Sequence, residues 1–182
     1  MKEKNKKKKK NKKIVVVVSG GFDPLHVGHV RLFEAAKRLG DELVVILNND
    51  HWLSDKKGYV FMSERERKEV IEGLRAVDRV VLSAHRPNDS DRSVCRELRR
   101  IRPHTFANGG DRDRKDAARK MSSLNPEQAL CRTLGIRMVF NVGDGGKVQS
   151  SSLLLERYST RRFGAAKYDR IMTHPSSVNT RC

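Results

Sequence analysis

The 182-residue chain is short of the features that mark several large classes of protein. Aromatic residues make up 5% of it, with a single tryptophan. That is too few for the base-stacking platforms of single-strand nucleic-acid binders. The three cysteines, Cys95, Cys131 and Cys182, are far apart and form no C-x-x-C pair. Their spacing argues against a disulfide framework or a zinc site and for a reducing, cytoplasmic setting. No apolar stretch approaches the ~18–20 residues that a spanning helix needs. Residues 15–18 are too short for a signal-peptide core, and the lysine run before them is too long for its charged region. No internal repeat is visible. His51, His85, His104 and His174 lack ligand spacing, and no dedicated metal cage is apparent.

Charge is abundant but uneven. The net charge is +17, of which residues 1–13, with nine lysines and one glutamate, carry +8. Residues 157–182 hold six basic residues and Asp169, giving +5, and residues 14–156 keep +4. The lysine run has too little apolar content to fold. It reads as a disordered, solvated tail, with attraction to nucleic acid or an anionic membrane or a nuclear address as the alternatives. The sequence therefore divides into a tail (1–13), one domain of sufficient size for a real core (14–158) and a basic extension (159–182).

Within the domain, short apolar runs alternate with amphipathic stretches. Strands are predicted at 14–18, 43–47, 79–82, 105–107 and 136–142. Helices are predicted at 28–39, from Ser63 with a Ser63/Glu66 capping box, at 91–101 before Pro103, at 125–134, and from Ser150. Residues 48–62 read as a loop. Alternating strands and helices give a parallel five-stranded sheet covered on both faces, a doubly wound, Rossmann-like α/β fold. Ligands of such sheets sit at the carboxyl ends of the strands. The polar loops at 19–29, 48–59, 108–112 and 143–151 each follow a strand and should converge there.

The first of these loops is the most informative. Residues 20–29 read GGFDPLHVGH and follow directly on the run IVVVV. Gly20 and Gly21 allow a sharp turn and a close backbone approach to a ligand. His26 and His29 are three apart at a helix start, so they lie on one face. Unbonded N–H groups and the positive end of the helix dipole gather at the same point. Two imidazole donors there suit oxygens that gain charge during phosphoryl or nucleotidyl transfer.

This block resembles the HxGH motif of the nucleotidylyltransferase superfamily, and most closely its cytidylyltransferase-like branch. Residues 32–40 (LFEAAKRLG), 41–50 (DELVVILNND) and 63–81 (SERERKEVIEGLRAVDRVV) extend the likeness to glycerol-3-phosphate cytidylyltransferases and to the nucleotidyltransferase part of heptose-phosphate enzymes. The resemblance covers roughly residues 14–158. It implies attack of a substrate phosphate on the α-phosphorus of a nucleoside triphosphate, with pyrophosphate leaving. It also implies Mg²⁺ arriving with the triphosphate, held partly by phosphate oxygens and water, and a homodimer.

By the same resemblance, His26 and His29 contact the triphosphate, and Gly20, Gly21 and Phe22 carry the backbone against it. Asp23 either organises the site or caps its own loop. Lys56 and Lys57 match a lysine loop that binds phosphate, and either can be the functional one. Arg67 matches an arginine that reaches the phosphates or the accepting substrate. Asp50 matches an acidic position near the acceptor, or closes the strand end. Gly109 and Asp111 fall in a segment that approaches base or ribose. Ser150 and Ser151 match a Ser-Thr pair of the family's second motif. No arginine precedes them, and Lys147 supplies charge from another direction with a less directional grip.

The implied reaction is transfer of CMP from CTP to a small phosphorylated alcohol or sugar, with glycerol 3-phosphate the best single acceptor. The alternative is transfer of AMP from ATP to a heptose 1-phosphate or a flavin-type phosphate. Outside enzymes, the charged ends fit a basic nucleic-acid-binding protein on an inactive nucleotidyltransferase body.

Overall fold

Runs of β-branched residues build the centre of the molecule. In the computed structural model, which describes residues 13–109, 124–143 and 149–163, the segment Val15–Gly20 (β1) is the middle strand of five. The others are Glu42–Leu47 (β2), Arg79–Leu82 (β3), Thr105–Gly109 (β4) and Arg137–Val142 (β5). All pairings are parallel, in the order β3-β2-β1-β4-β5. The chain moves outward to β3 and then returns to β4 on the other side of β1. The strand order thus switches between β1 and β4, where the carboxyl ends open a crevice.

Both faces are covered. The helices are Val27–Lys37 (α1), Asp50–Lys57 (α2), Glu64–Glu72 (α3), Cys95–Ile101 (α4), Asn125–Leu134 (α5) and Ser151–Phe163 (α6). Strand alternation divides the core. Val16, Val18, Val45 and Leu47 join Phe33, Ala36 and Ile71 of α1 and α3 in one cluster. Val17, Val44 and Ile46 join Leu98, Leu130 and Cys131 of α4 and α5 in the other. With both faces buried, β1 and β2 have no polar face to show, hence their unbroken apolar runs.

Two segments differ from the sequence reading. Residues 48–62 are not simply a loop, because α2 forms within them. Asn49 caps it by accepting from the Trp52 amide at 3.0 Å, and Gly58 closes it at φ 78°. The helix predicted from residue 91 starts at Cys95. The Asp89 carboxylate takes the Asp91 N–H and the Asp91 carboxylate takes the Ser93 N–H, which holds this stretch in turns. Of the lysine-rich tail only Lys13 is described. The C-terminal extension lies outside the described residues from 164 onward. Among the described residues no helix is long and apolar enough to cross a membrane.

Candidate nucleotidyl-transfer site

A cavity of about 730 Å³ opens at the carboxyl ends of the strands. Its lining includes Gly20, Gly21, Phe22, His26 and His29 from the first loop, Lys56 and Lys57 of α2, Gly109, and Ser150 and Ser151 at the start of α6. The described parts of the loops after strands one, two, four and five therefore converge, as their polarity implied. Asp111 and Lys147 lie outside the described residues.

The two histidines are held by the backbone they cap. Nδ1 of His26, the N-cap of α1, accepts from the Gly28 amide at 3.1 Å. Nδ1 of His29 accepts from the His26 amide at 3.4 Å. The rings stack with centroids 3.7 Å apart and planes 19° from parallel. Because each Nδ1 is an acceptor, the proton of each neutral ring sits on Nε2. Burial holds His29 down at about 3, helped by the charges of His26 and Lys57, and burial likewise lowers His26. At neutral pH the pair is therefore two uncharged N–H donors.

Phe22 supports this pair from below. Its ring meets His29 and Phe33 edge-on, with centroids 5.0 Å away in each case. Its backbone is left-handed at φ 49°, a conformation that non-glycine residues hold at a cost of about 1–3 kcal/mol where the surroundings enforce it. Gly20 is required by the same ring, since a Cβ there would stand 2.8 Å from Phe22 Cζ.

Three residues expected to face the ligands are committed elsewhere, and none of them lines the cavity. Arg67 is fully buried rather than reaching for phosphate. Its Nη1 donates to the carbonyls of Gly21 (2.6 Å) and Asn48 (2.8 Å), its Nε to Met62 O (2.8 Å), and its Nη2 to Asp50 Oδ1 (2.5 Å). Asp50 is correspondingly spent on Arg67 and not on an acceptor. The Asp23 carboxylate is also buried and takes the amides of Phe61 and Met62, both at 2.8 Å. The loop that Asp23 caps is the one before α3, at residues 61–62, and not its own.

Lys57 donates to the Asp23 carbonyl at 3.0 Å, and burial lowers its ammonium from the ordinary range, with Asp23 opposing and Arg67 adding to the fall. Lys56 Nζ lies 4.4 Å from the Trp52 ring centroid. Ser151 Oγ donates to Pro24 O at 2.9 Å, which ties α6 to the histidine loop. The Cys131 thiol, buried and pushed up to about 11, is no nucleophile.

Apart from Trp52, which the sequence left to pack over the site or within its own loop, one wall of the cavity went unread. Trp52, Arg92, Val94, Leu124 and Pro126 line it, together with Asn48. Trp52 Nε1 donates to Arg92 O at 2.9 Å, joining α2 to the turns after β3. The carboxamide oxygen of Asn48 is buried without a partner. The signal available was the polar stretch 89–93, which follows β3 as the other cavity loops follow their strands.

Comparison with known proteins agrees with this geometry. The Cytidylyltransferase-like family matches residues 17–130. An FAD synthase from Pyrococcus horikoshii is 38% identical over 108 residues, covering 58% of this chain and 70% of that protein. A glycerol-3-phosphate cytidylyltransferase from Bacillus subtilis is 44% identical over 62 residues, covering 34% and 48%. The chain thus spans between about half and seven-tenths of these relatives. The crystal structure of a lipopolysaccharide core biosynthesis protein from Thermoplasma volcanium superposes with a TM-score of 0.55 at 26% identity, over 74% of this chain and all of that one. The strand–glycine-turn–histidine-pair geometry and these matches have one reading: the chain belongs to the cytidylyltransferase-like family of nucleotidyltransferases.

Proposed function

We propose that the protein transfers a nucleoside monophosphate from a nucleoside triphosphate to a phosphorylated acceptor. An acceptor phosphate oxygen bonds to the α-phosphorus. The bond from that phosphorus to the bridging oxygen of the β-phosphate breaks, and pyrophosphate leaves with the electron pair. The observation that carries this reading is the stacked, backbone-locked pair His26 and His29 with Nε2–H donors at a cavity. The attacking phosphate is ionised at neutral pH, so the chain needs to supply no base. Its task is to position both reactants and stabilise charge on the phosphate oxygens.

The groups assigned to the triphosphate are the backbone at Gly20, Gly21 and Gly109, the two imidazoles, the Lys56/Lys57 ammoniums, and Ser150 at the start of α6. Asp111 and Lys147 stay candidates from sequence alone. Among the described residues no three His, Cys, Asp or Glu side chains converge on one point. An Mg²⁺ accompanying the triphosphate would rest on phosphate oxygens and water, and it would neutralise charge on the departing pyrophosphate.

Two donor–acceptor pairs suit the site: CTP with glycerol 3-phosphate, and ATP with a flavin-type phosphate. The wall of Trp52, Val94, Leu124 and Pro126 favours the second, because a flat ring gains from an aromatic and apolar surface while glycerol offers it nothing to bury. Pyrophosphate release should be measured over four nucleoside triphosphates with flavin mononucleotide, heptose 1-phosphate and glycerol 3-phosphate. The greatest kcat/KM is expected with ATP and flavin mononucleotide. Preference for CTP with glycerol 3-phosphate would restore the first pair, and no turnover with any pair would refute the activity.

A further inference from the structure

The amino ends of the strands form the pole of the molecule opposite the cavity. There the last turns of the helices meet the first residues of the strands they feed. The half of this pole under β3 and β2 is balanced: Lys37 pairs with Asp78 at 2.6 Å and Arg79 with Glu42 at 3.5 Å. The half under β1, β4 and β5 is not. Arg99 and Arg100 sit in the last turn of α4, Arg102 caps it, Arg132 sits in the last turn of α5, and Arg137 opens β5. All five are exposed. Residues 98–109 and 128–143 contain these five arginines and no acidic residue. Among the described residues none of the five makes an ion pair.

The root of the lysine run lies between the two halves: the Asp41 carboxylate takes the Ile14 N–H at 2.8 Å, and the Lys13 charge helps to lower the Asp78 carboxyl. His104, between Arg102 and β4, accepts from Val15 N–H at 3.0 Å through Nδ1, and Arg137 N–H donates to His104 O at 3.0 Å. In register, Val16 lies beside Thr105 and Thr105 beside Arg137. Two strand spacings, roughly 10 Å, therefore separate the start of β1 from Arg137. Lys13, the last residue of a run with nine lysines, enters the fold at this edge.

We infer that this arginine pole docks on the phosphate backbone of double-helical nucleic acid. The folded part of the patch is all arginine, whose planar fork suits phosphate oxygens and whose charge does not titrate. No Phe, Tyr or Trp occurs in 98–104 or 128–137, so these segments build no large stacking platform for unpaired bases. Ile14, 45% exposed, is the large apolar side chain exposed at this edge, a poor basis for insertion into lipid. Such binding is independent of sequence and strongly salt-dependent. It leaves the cavity at the other pole open to its substrates.

The test uses the full chain and a 20-base-pair duplex of arbitrary sequence, followed by fluorescence anisotropy at 50–200 mM salt. Affinity should fall by about 10³ over that range, as it does for six or more phosphate contacts. The variant Arg100→Gln/Arg132→Gln/Arg137→Gln should flatten the slope of log K against log[salt] by about 3, with pyrophosphate release unchanged. Arg→Lys at the same positions should retain most of the slope, which guards against a folding artefact in the first variant. Lys→Gln at positions 6–10 should weaken binding without abolishing it. An unchanged slope in the arginine variant would overturn the proposal. So would complete loss of binding in the lysine variant, or tighter binding to phosphatidylserine-containing vesicles than to the duplex.

Discussion

Gly28 lies flat against the ring of His26: a Cβ at position 28 would stand 2.9 Å from Cε1 and 3.0 Å from Nδ1. The glycine between the two histidines thus makes room for the first imidazole, whose Nδ1 takes the Gly28 amide. Gly28→Ala should rotate the ring off its amide and break the stack on His29. Because the displaced group ends a flexible side chain, the melting temperature should change little, while kcat should fall about 10–100-fold. Steady-state kinetics beside a thermal melt separates the two effects.

In the proposed reaction, His29→Ala removes one donor aimed at the charge that develops. The expected loss is about 10²–10³ in kcat, with the triphosphate KM little altered. Unchanged turnover in this variant would leave the histidine pair without its assigned role.

The depressed His29 ring makes stability depend on pH. An unfolded chain binds this proton as pH falls through 6.5, while the folded ring stays neutral down to about 3. Between those values the unfolded state holds more protons, so the full contribution stands above pH 6.5 and drains away toward pH 3. The gap corresponds to up to roughly 5 kcal/mol, less as water reaches the ring. Urea titrations at pH 7, 5 and 3.5 should show the decline, and His29→Asn should flatten it.

Lys57 sets the opposite limb. Its lowered ammonium loses charge at a pH below that of an ordinary lysine, so activity should decline on the alkaline side before pH 10.5. In Lys57→Arg that limb should move upward, since guanidinium stays charged. A pH profile of kcat/KM for both proteins checks this.

Arg67→Met should act as a structural lesion first. It strands the carbonyls of Gly21, Asn48 and Met62 and leaves the Asp50 carboxylate without its guanidinium. Loss of such a buried partner costs about 3–5 kcal/mol, readable by chemical denaturation. Arg67→Lys should rescue only part of it, because an ammonium cannot span carbonyls on three segments.

Arg67 also shows where reading the sequence stops. The strands, the histidine loop and the Ser63 capping box were legible because each has a local pattern. A charged residue inside the fold has none: what buries Arg67 is a set of carbonyls brought together from residues 21, 48 and 62. Helix α2 was faint for a related reason. It has eight residues and buries one of them, Leu53, so its apolar periodicity never completes a second turn. Its ends were nonetheless written in the chain, as Asn49 before it and Gly58 after it. The wall formed by Trp52 and Arg92 depends on a contact between residues 40 apart, which no spacing rule reports.

The tautomer imposed on the two imidazoles bears on how turnover ends. In the proposed reaction, two imidazolium cations here would add to the grip of Lys56 and Lys57 on departing pyrophosphate and slow its clearance. Neutral N–H dipoles hold a charged product more weakly than full cations would. Fastening each ring through its inner nitrogen gives the protein a hold that lets go.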